Sequence, residues 1–137
     1  MPLVVDASVA LAWALPDESS AYADVVLAAV ERDGLRVPEL WAWEVANGRA
    51  VAYLRKRITS ADEQAFLRAL SHLNIDVEEP ASALTVIREG TAAATRYGLT
   101  AYDAAHVNLA LREGLRLATL DAQMRRATEQ TGVRIFQ

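Results

Sequence analysis

The feature that most constrains the fold is a regular alternation of apolar runs too brief for helices with longer segments of helical pattern. Leu3-Val4-Val5 is a short apolar run that ends at Asp6, the pattern of a buried strand with a carboxylate at its C-terminal end. Ser8 to Leu15 reads as one or two helical turns closed by Pro16, and Ala21 to Arg32 as an alanine-rich helix ending before Asp33-Gly34. Leu35-Arg36-Val37 returns as a strand. Pro38 then suits a first helical turn, and the helix from Glu39 to about Arg57 has Gly48 as its only weak point. Ser60-Ala61-Asp62-Glu63 matches a capping box opening a helix that ends near Leu73.

The alternation continues to the end of the chain. Ile75-Asp76-Val77 is strand-like, and after Pro80 a helix from Ala83 to Tyr97 stops at Gly98. Thr100 opens a helix that runs to Glu113 and stops at Gly114. Leu115 to Thr119 reads as a strand, Ala122 to Thr128 as a helix, and Val133-Arg134-Ile135 as a last strand. Strand followed by helix throughout predicts an α/β fold: a mostly parallel sheet with helices on both faces, and ligands beyond the carboxyl ends of the strands. A length of 137 residues predicts a single domain, 1–137, with one core.

Four carboxylates stand out by position: Asp6, Glu44, Asp103 and Asp121. Asp6 and Asp121 follow apolar strands, which puts both at the carboxyl edge of a parallel sheet, although each also suits a helix N-cap. Glu44 has Leu40, Trp41, Asn47 and Gly48 as its helical neighbours and no local cationic partner, so burial requires compensation by a metal ion or a distant arginine. Asp103 lies three residues after Thr100, where an acid equally completes a capping box. His106, one turn beyond Asp103, reads as a packed or solvated histidine, with orientation of the carboxylate as the functional alternative. Several acids meeting at one sheet edge repel each other unless cations lie between them, and all-oxygen donors suit Mg²⁺ or Mn²⁺.

Composition narrows the chemistry. With no cysteine and two histidines, thiolate zinc sites and histidine-rich metal sites are excluded, so any metal is held mainly by oxygen. The apolar residues, 53% of the chain, never run to the roughly 18 that a membrane span needs. The N-terminus also lacks the basic and apolar regions of a signal peptide, which predicts a cytoplasmic protein. A net charge of −4 argues against nucleic-acid binding by charge alone. The positive residues are nearly all arginine, however, and an acidic cluster that holds cations is neutralised locally. Arg49, Arg55, Lys56, Arg57 and Arg96 are candidate phosphate contacts, each with a solvated helix face as the simpler account. Trp13, Trp41 and Trp43 are candidate base-stacking residues, with core or interface packing as the simpler account.

Val4-Val5-Asp6-Ala7-Ser8, Pro38-Glu39-Leu40 with Glu44-Val45-Ala46-Asn47, Leu99-Thr100-Ala101-Tyr102-Asp103-Ala104 and Leu117-Ala118-Thr119-Leu120-Asp121 resemble the successive motifs of PIN domains, in order and across essentially the whole chain. The length is similar to that of the stand-alone VapC toxins of VapBC toxin-antitoxin pairs. The resemblance implies a PIN-like three-layer α/β/α sandwich and a Mg²⁺- or Mn²⁺-dependent endoribonuclease whose products are a 5′-phosphate and a 3′-hydroxyl. It also implies a homodimer and a VapB-like antitoxin whose C-terminal segment blocks the active-site groove. By motif position it implies Asp6, Glu44, Asp103 and Asp121 as catalytic and metal-ligating acids, with Ser8, Thr119 and Asn47 supporting them. Some relatives carry a further acid shortly after the last aspartate, where this chain has Ala122, Gln123 and Met124. Two other readings compete: a PIN-like binding module without catalysis, and a haloacid-dehalogenase-like phosphatase. The phosphatase would need a second aspartate where this chain has Ser8.

Overall fold

The computed structural model describes residues 1–137. Strands β1 (Leu3–Val5), β2 (Leu35–Val37), β3 (Ile75–Val77) and β4 (Leu117–Ala118) form one sheet in the order β3-β2-β1-β4, and every pairing is parallel. The helices are α1 (Ala7–Ala14), α2 (Ala21–Asp33), α3 (Leu40–Leu54), α4 (Ser60–Ser71), α5 (Ala83–Tyr97), α6 (Ala101–Glu113) and α7 (Ala122–Glu129).

The composition of β1 dictates the layering. Successive strand side chains point to opposite faces, so an apolar triplet needs cover on both. Leu3 and Val5 pack with Val9, Val26, Val30 and Trp41 from α1, α2 and α3. Val4 packs on the other face with Val107 and Leu109 of α6 and Met124 of α7. Burying each of these branched side chains contributes roughly 1.5–3 kcal/mol. The result is the expected three-layer α/β/α sandwich, with α5 packed outside α6.

Strand order places the site. β1 has β2 on one side and β4 on the other, so the chain reverses its winding direction beside the carboxyl end of β1. Such a switch point opens a crevice between adjacent loops, where ligands of open α/β sheets bind. Asp6 follows β1 directly, and Thr119 follows β4.

Gly48, read from sequence as a weak point of α3, has a packing role. A Cβ there would stand 2.6 Å from one Leu11 methyl and 2.7 Å from the other, so its absence is what lets α1 approach α3.

Four expectations are corrected. α3 ends at Leu54 and does not reach Arg57. Lys56 adopts φ 58, and Lys56 and Arg57 donate their backbone N–H groups to Tyr53 and Ala52 in a Schellman closure built without glycine. The cap of α4 is one residue earlier than expected, with Thr59 and Asp62 exchanging the reciprocal hydrogen bonds. The strand expected over Leu115–Thr119 contracts to Leu117–Ala118, because the Leu115 N–H closes the end of α6 on Ala110. Val133–Ile135 forms no strand: the Val133 N–H bonds Thr131 Oγ1 after Gly132 turns at φ 86, and only Ile135 bridges to Leu117.

Candidate active site

Asp6, Glu44, Asp103 and Asp121, brought together from β1, α3, α6 and the β4–α7 turn, line one cavity of about 590 Å³ together with Ser8 and Asn47. Residues more than a hundred positions apart thus meet at the sheet's switch point.

Asp6 is the buried member of the set, 4% exposed. Although it occupies the N-cap position of α1, its side chain makes no cap hydrogen bond, so the capping account of its carboxylate fails. Instead, Ser8 Oγ and Thr119 Oγ1 both donate to Asp6 Oδ2, at 2.6 and 2.9 Å. Each hydroxyl in turn accepts a backbone N–H: Ser8 from Leu120 at 3.1 Å, Thr119 from Asp121 at 3.0 Å. Those two amides orient the hydroxyls, so both hydroxyl protons are directed at one carboxylate oxygen, and no protein group donates to Oδ1.

For Asp121 the capping account holds. Its Oδ1 accepts from the Met124 N–H at 2.8 Å, and the residue lines the cavity from an exposed turn. Asp103 divides its roles by atom. Its backbone N–H is capped by Thr100 Oγ1 at 3.1 Å, while its half-buried carboxylate lines the cavity. Burial raises the Asp103 carboxyl to about 6, helped by the charges of Asp6 and Asp121 and partly opposed by a hydrogen bond from Thr100.

Glu44 carries the largest electrostatic load. Burial, followed by the charges of Asp6 and Asp103, raises it to about 7. Its Oε1 is buried without a hydrogen-bond partner. Such an atom costs about 1–3 kcal/mol unless a proton or a cation satisfies it. The acids therefore register one another's charge, the behaviour expected of carboxylates arranged to share positive charge.

Sequence reasoning missed the position of His106. It is fully buried, and its Nδ1–H donates to the Tyr102 carbonyl at 2.9 Å, which leaves Nε2 without a partner and facing Glu44. Its pKa is lowered by burial, against the opposing pull of Asp6 and the Tyr102 carbonyl. The spacing from Asp103 hinted at this, but burial depended on how α6 meets the rest of the fold. The tryptophans also separate. Trp13 Nε1 donates to the Ala23 carbonyl and Trp41 is buried, whereas Trp43 is 75% exposed and lines the cavity. Among the candidate phosphate contacts, Arg49 is paired with Glu63, and Arg57 with Asp17 and Glu18, so both are engaged in ion pairs; Arg55, Lys56 and Arg96 are exposed.

The donor set, all carboxylate with one imidazole nitrogen behind it, fits a hard divalent cation. As the side chains stand, no three His, Asp or Glu residues are arranged to hold an ion directly.

Comparison with known proteins gives consistent results. Residues 3–130 match the PIN domain. The chain is 33% identical over 124 residues to Ribonuclease VapC3 of Pyrobaculum aerophilum, covering 90% of this chain and 92% of that protein. The crystal structure of PAE2754 from Pyrobaculum aerophilum superposes with a TM-score of 0.69 at 26% identity, over 98% of this chain and 90% of that one.

Proposed function

The chain belongs to the PIN-domain family of VapC-like ribonucleases, and from that premise we propose that it is a Mg²⁺- or Mn²⁺-dependent endoribonuclease, the toxin of a VapBC-like pair. The observation that carries the reading is the meeting of Asp6, Glu44, Asp103 and Asp121 in one cavity, with Glu44 Oε1 buried and unpartnered.

In this reading Asp6, Glu44, Asp103 and Asp121 hold the cation directly or through water. A divalent ion so held supplies Lewis acidity and brings the pKa of water toward neutrality. The protein's part is positional. Ser8 and Thr119 clamp Asp6 through Oδ2, which leaves Oδ1 without a protein donor. Glu44 and Asp103, raised to about 7 and about 6, give up their protons once positive charge offsets their mutual repulsion. Asn47 lines the cavity one helical turn from Glu44 and offers its side-chain amide to the bound RNA. In-line attack on phosphorus would leave a 5′-phosphate and a 3′-hydroxyl.

The same reading includes residues 1–137 acting as one domain in the cytoplasm, a homodimer, and a VapB-like antitoxin laid across the cleft. No helix is long and apolar enough to cross a membrane. The family match leaves the phosphatase alternative without support, and retention of all four acids in one cavity favours catalysis over a purely binding module.

The test is RNA cleavage by antitoxin-free protein in Mg²⁺ or Mn²⁺, abolished by EDTA. Asp6→Asn, purified identically, controls for contaminating ribonuclease. Equal cleavage by both proteins overturns the assignment.

A further inference from the structure

The four acids account for the floor of the cavity but not for its rim. Trp43 and Tyr102, 75% and 62% exposed, line the same cavity from α3 and α6. Each is the immediate sequence neighbour of an acid, Trp43 of Glu44 and Tyr102 of Asp103. On α3, Trp43 and Asn47 are one turn apart and share the cavity face, so a flat aromatic surface and an amide capable of both donating and accepting stand side by side.

Other exposed apolar residues lack this context. Tyr53 and Leu54 sit at the end of α3, and Leu84 and Ile87 on α5, and none of them lines the acid cavity. Trp43 is also the one tryptophan that is neither buried nor hydrogen-bonded within the protein.

Resting on the ribonuclease reading, we propose that Trp43 and Tyr102 form a stacking platform for RNA bases flanking the scissile phosphate, with Asn47 positioned to read a base edge. A phosphate held at the acids through cations leaves its attached nucleosides within the same cavity, whose volume of about 590 Å³ admits more than the phosphate group. Unpaired bases expose broad π-faces, which proteins recognise by stacking on aromatic rings. The platform thus selects single-stranded RNA: a base kept in a duplex has its faces covered by its neighbours.

The alternative occupant, an apolar side chain of a protein partner, is separated from a base by shape. Trp43→Phe keeps a flat ring, Trp43→Leu keeps apolar bulk without one, and Trp43→Ala keeps neither. Binding is measured by fluorescence anisotropy with a labelled 2′-O-methyl 12-mer of mixed sequence in Mg²⁺, and with copies carrying a single abasic position. Stacking predicts that Trp43→Phe stays within about threefold of wild type, while Leu and Ala each weaken binding by about tenfold. It also predicts one abasic position that weakens binding to wild type but not to Trp43→Ala. Circular dichroism and melting confirm that all variants are folded. If Trp43→Leu binds as tightly as Trp43→Phe, or if abasic losses are the same in wild type and Trp43→Ala, the platform is refuted while the ribonuclease reading stands. If wild type binds no oligonucleotide yet cleaves RNA in Mg²⁺, the platform is refuted and the ribonuclease reading stands; if it does neither, both fall together.

Discussion

His106 and Glu44 meet across the interior with their polar ends unsatisfied: the imidazole Nε2 stands 4.0 Å from the carboxylate Oε1, and neither atom has a hydrogen-bond partner. The gap is too long for a direct hydrogen bond. Because Nδ1–H is engaged by the Tyr102 carbonyl, the neutral ring turns a lone pair toward a carboxylate that is itself an acceptor. The pair is therefore easiest to accommodate with a proton on Glu44, or with positive charge nearby.

The first prediction concerns pH. Glu44 is raised from its ordinary 4.5 to about 7 and Asp103 from 3.8 to about 6. Folded protein thus binds more protons than unfolded protein across this range, and stability is lost as pH rises from about 4 to about 7. His106, lowered by burial, acts with the opposite sign and loses stability as pH falls below 6.5. Comparing wild type with Glu44→Gln isolates the Glu44 contribution. In EDTA, the melting temperature of Glu44→Gln relative to wild type should climb between pH 4.5 and 7. A flat difference across that window refutes it.

The second prediction separates charge from cap at Asp121. The Met124 N–H needs only an oxygen acceptor, so Asp121→Asn should melt at or above wild type in EDTA. Asp121→Ala, which loses the cap, should be about 1 kcal/mol less stable. Mn²⁺ should then stabilise wild type most, on the order of 2.7 kcal/mol at a hundredfold excess over Kd. Equal Mn²⁺ stabilisation of all three proteins would remove Asp121 from the metal set.

Third, Thr119→Val keeps the buried shape and deletes the hydroxyl that bonds both Asp6 and the Asp121 N–H. The expected cost is about 1–2 kcal/mol of stability and a tenfold or greater loss of Mn²⁺ affinity by calorimetric titration. Unchanged Mn²⁺ affinity would show that the clamp on Asp6 does not serve the cation.

Fourth, because Thr100 and the Asp103 backbone form the cap of α6, removing the Asp103 charge should leave the helix intact. Expression in a bacterial host should slow growth, coexpression of a VapB-like partner should restore it, and Asp103→Asn should be harmless without the partner. Toxicity equal to wild type excludes the Asp103 carboxylate from the machinery.

Fifth, Gly48→Ala would push against Leu11, whose side chain lines the acid cavity. Alanine gains about 1 kcal/mol of helix propensity, while displacing Leu11 costs a similar amount. The melting temperature should therefore move little, and RNA cleavage should fall severalfold. Full activity would mean that Leu11 finds room away from the cavity.

The sheet was legible from sequence because β1 is an apolar run and β2 alternates apolar, polar, apolar, both bounded by clear stops, and two helix ends were legible because glycine at positions 98 and 114 takes the left-handed conformation there. Less was legible where the determinant is not a residue type. Lys56 is no sequence signal for a left-handed turn, and Thr59 and Ser60 both satisfy the pattern of a capping hydroxyl ahead of acids, so only the observed hydrogen bonds choose between them. The four acids were singled out by position, but their separate roles were not. Asp121 spends an oxygen on the Met124 N–H whereas Asp6 is held by the Ser8 and Thr119 hydroxyls, a difference set by tertiary neighbours and not by residue type. The exposure of Trp43 and the burial of Trp41, two residues apart on one helix, follow from which side of α3 faces the sheet.

The clamp on Asp6 also bears on ion discrimination. With Oδ2 held by two hydroxyls, the carboxylate can offer a cation only one oxygen. A one-toothed donor suits ions that demand a compact octahedron with bonds near 2.1 Å, and suits poorly those that favour seven or eight oxygens with bidentate carboxylates. If Asp6 holds the cation as proposed, the two small hydroxyls, each oriented by a backbone amide, would keep it a single-oxygen donor.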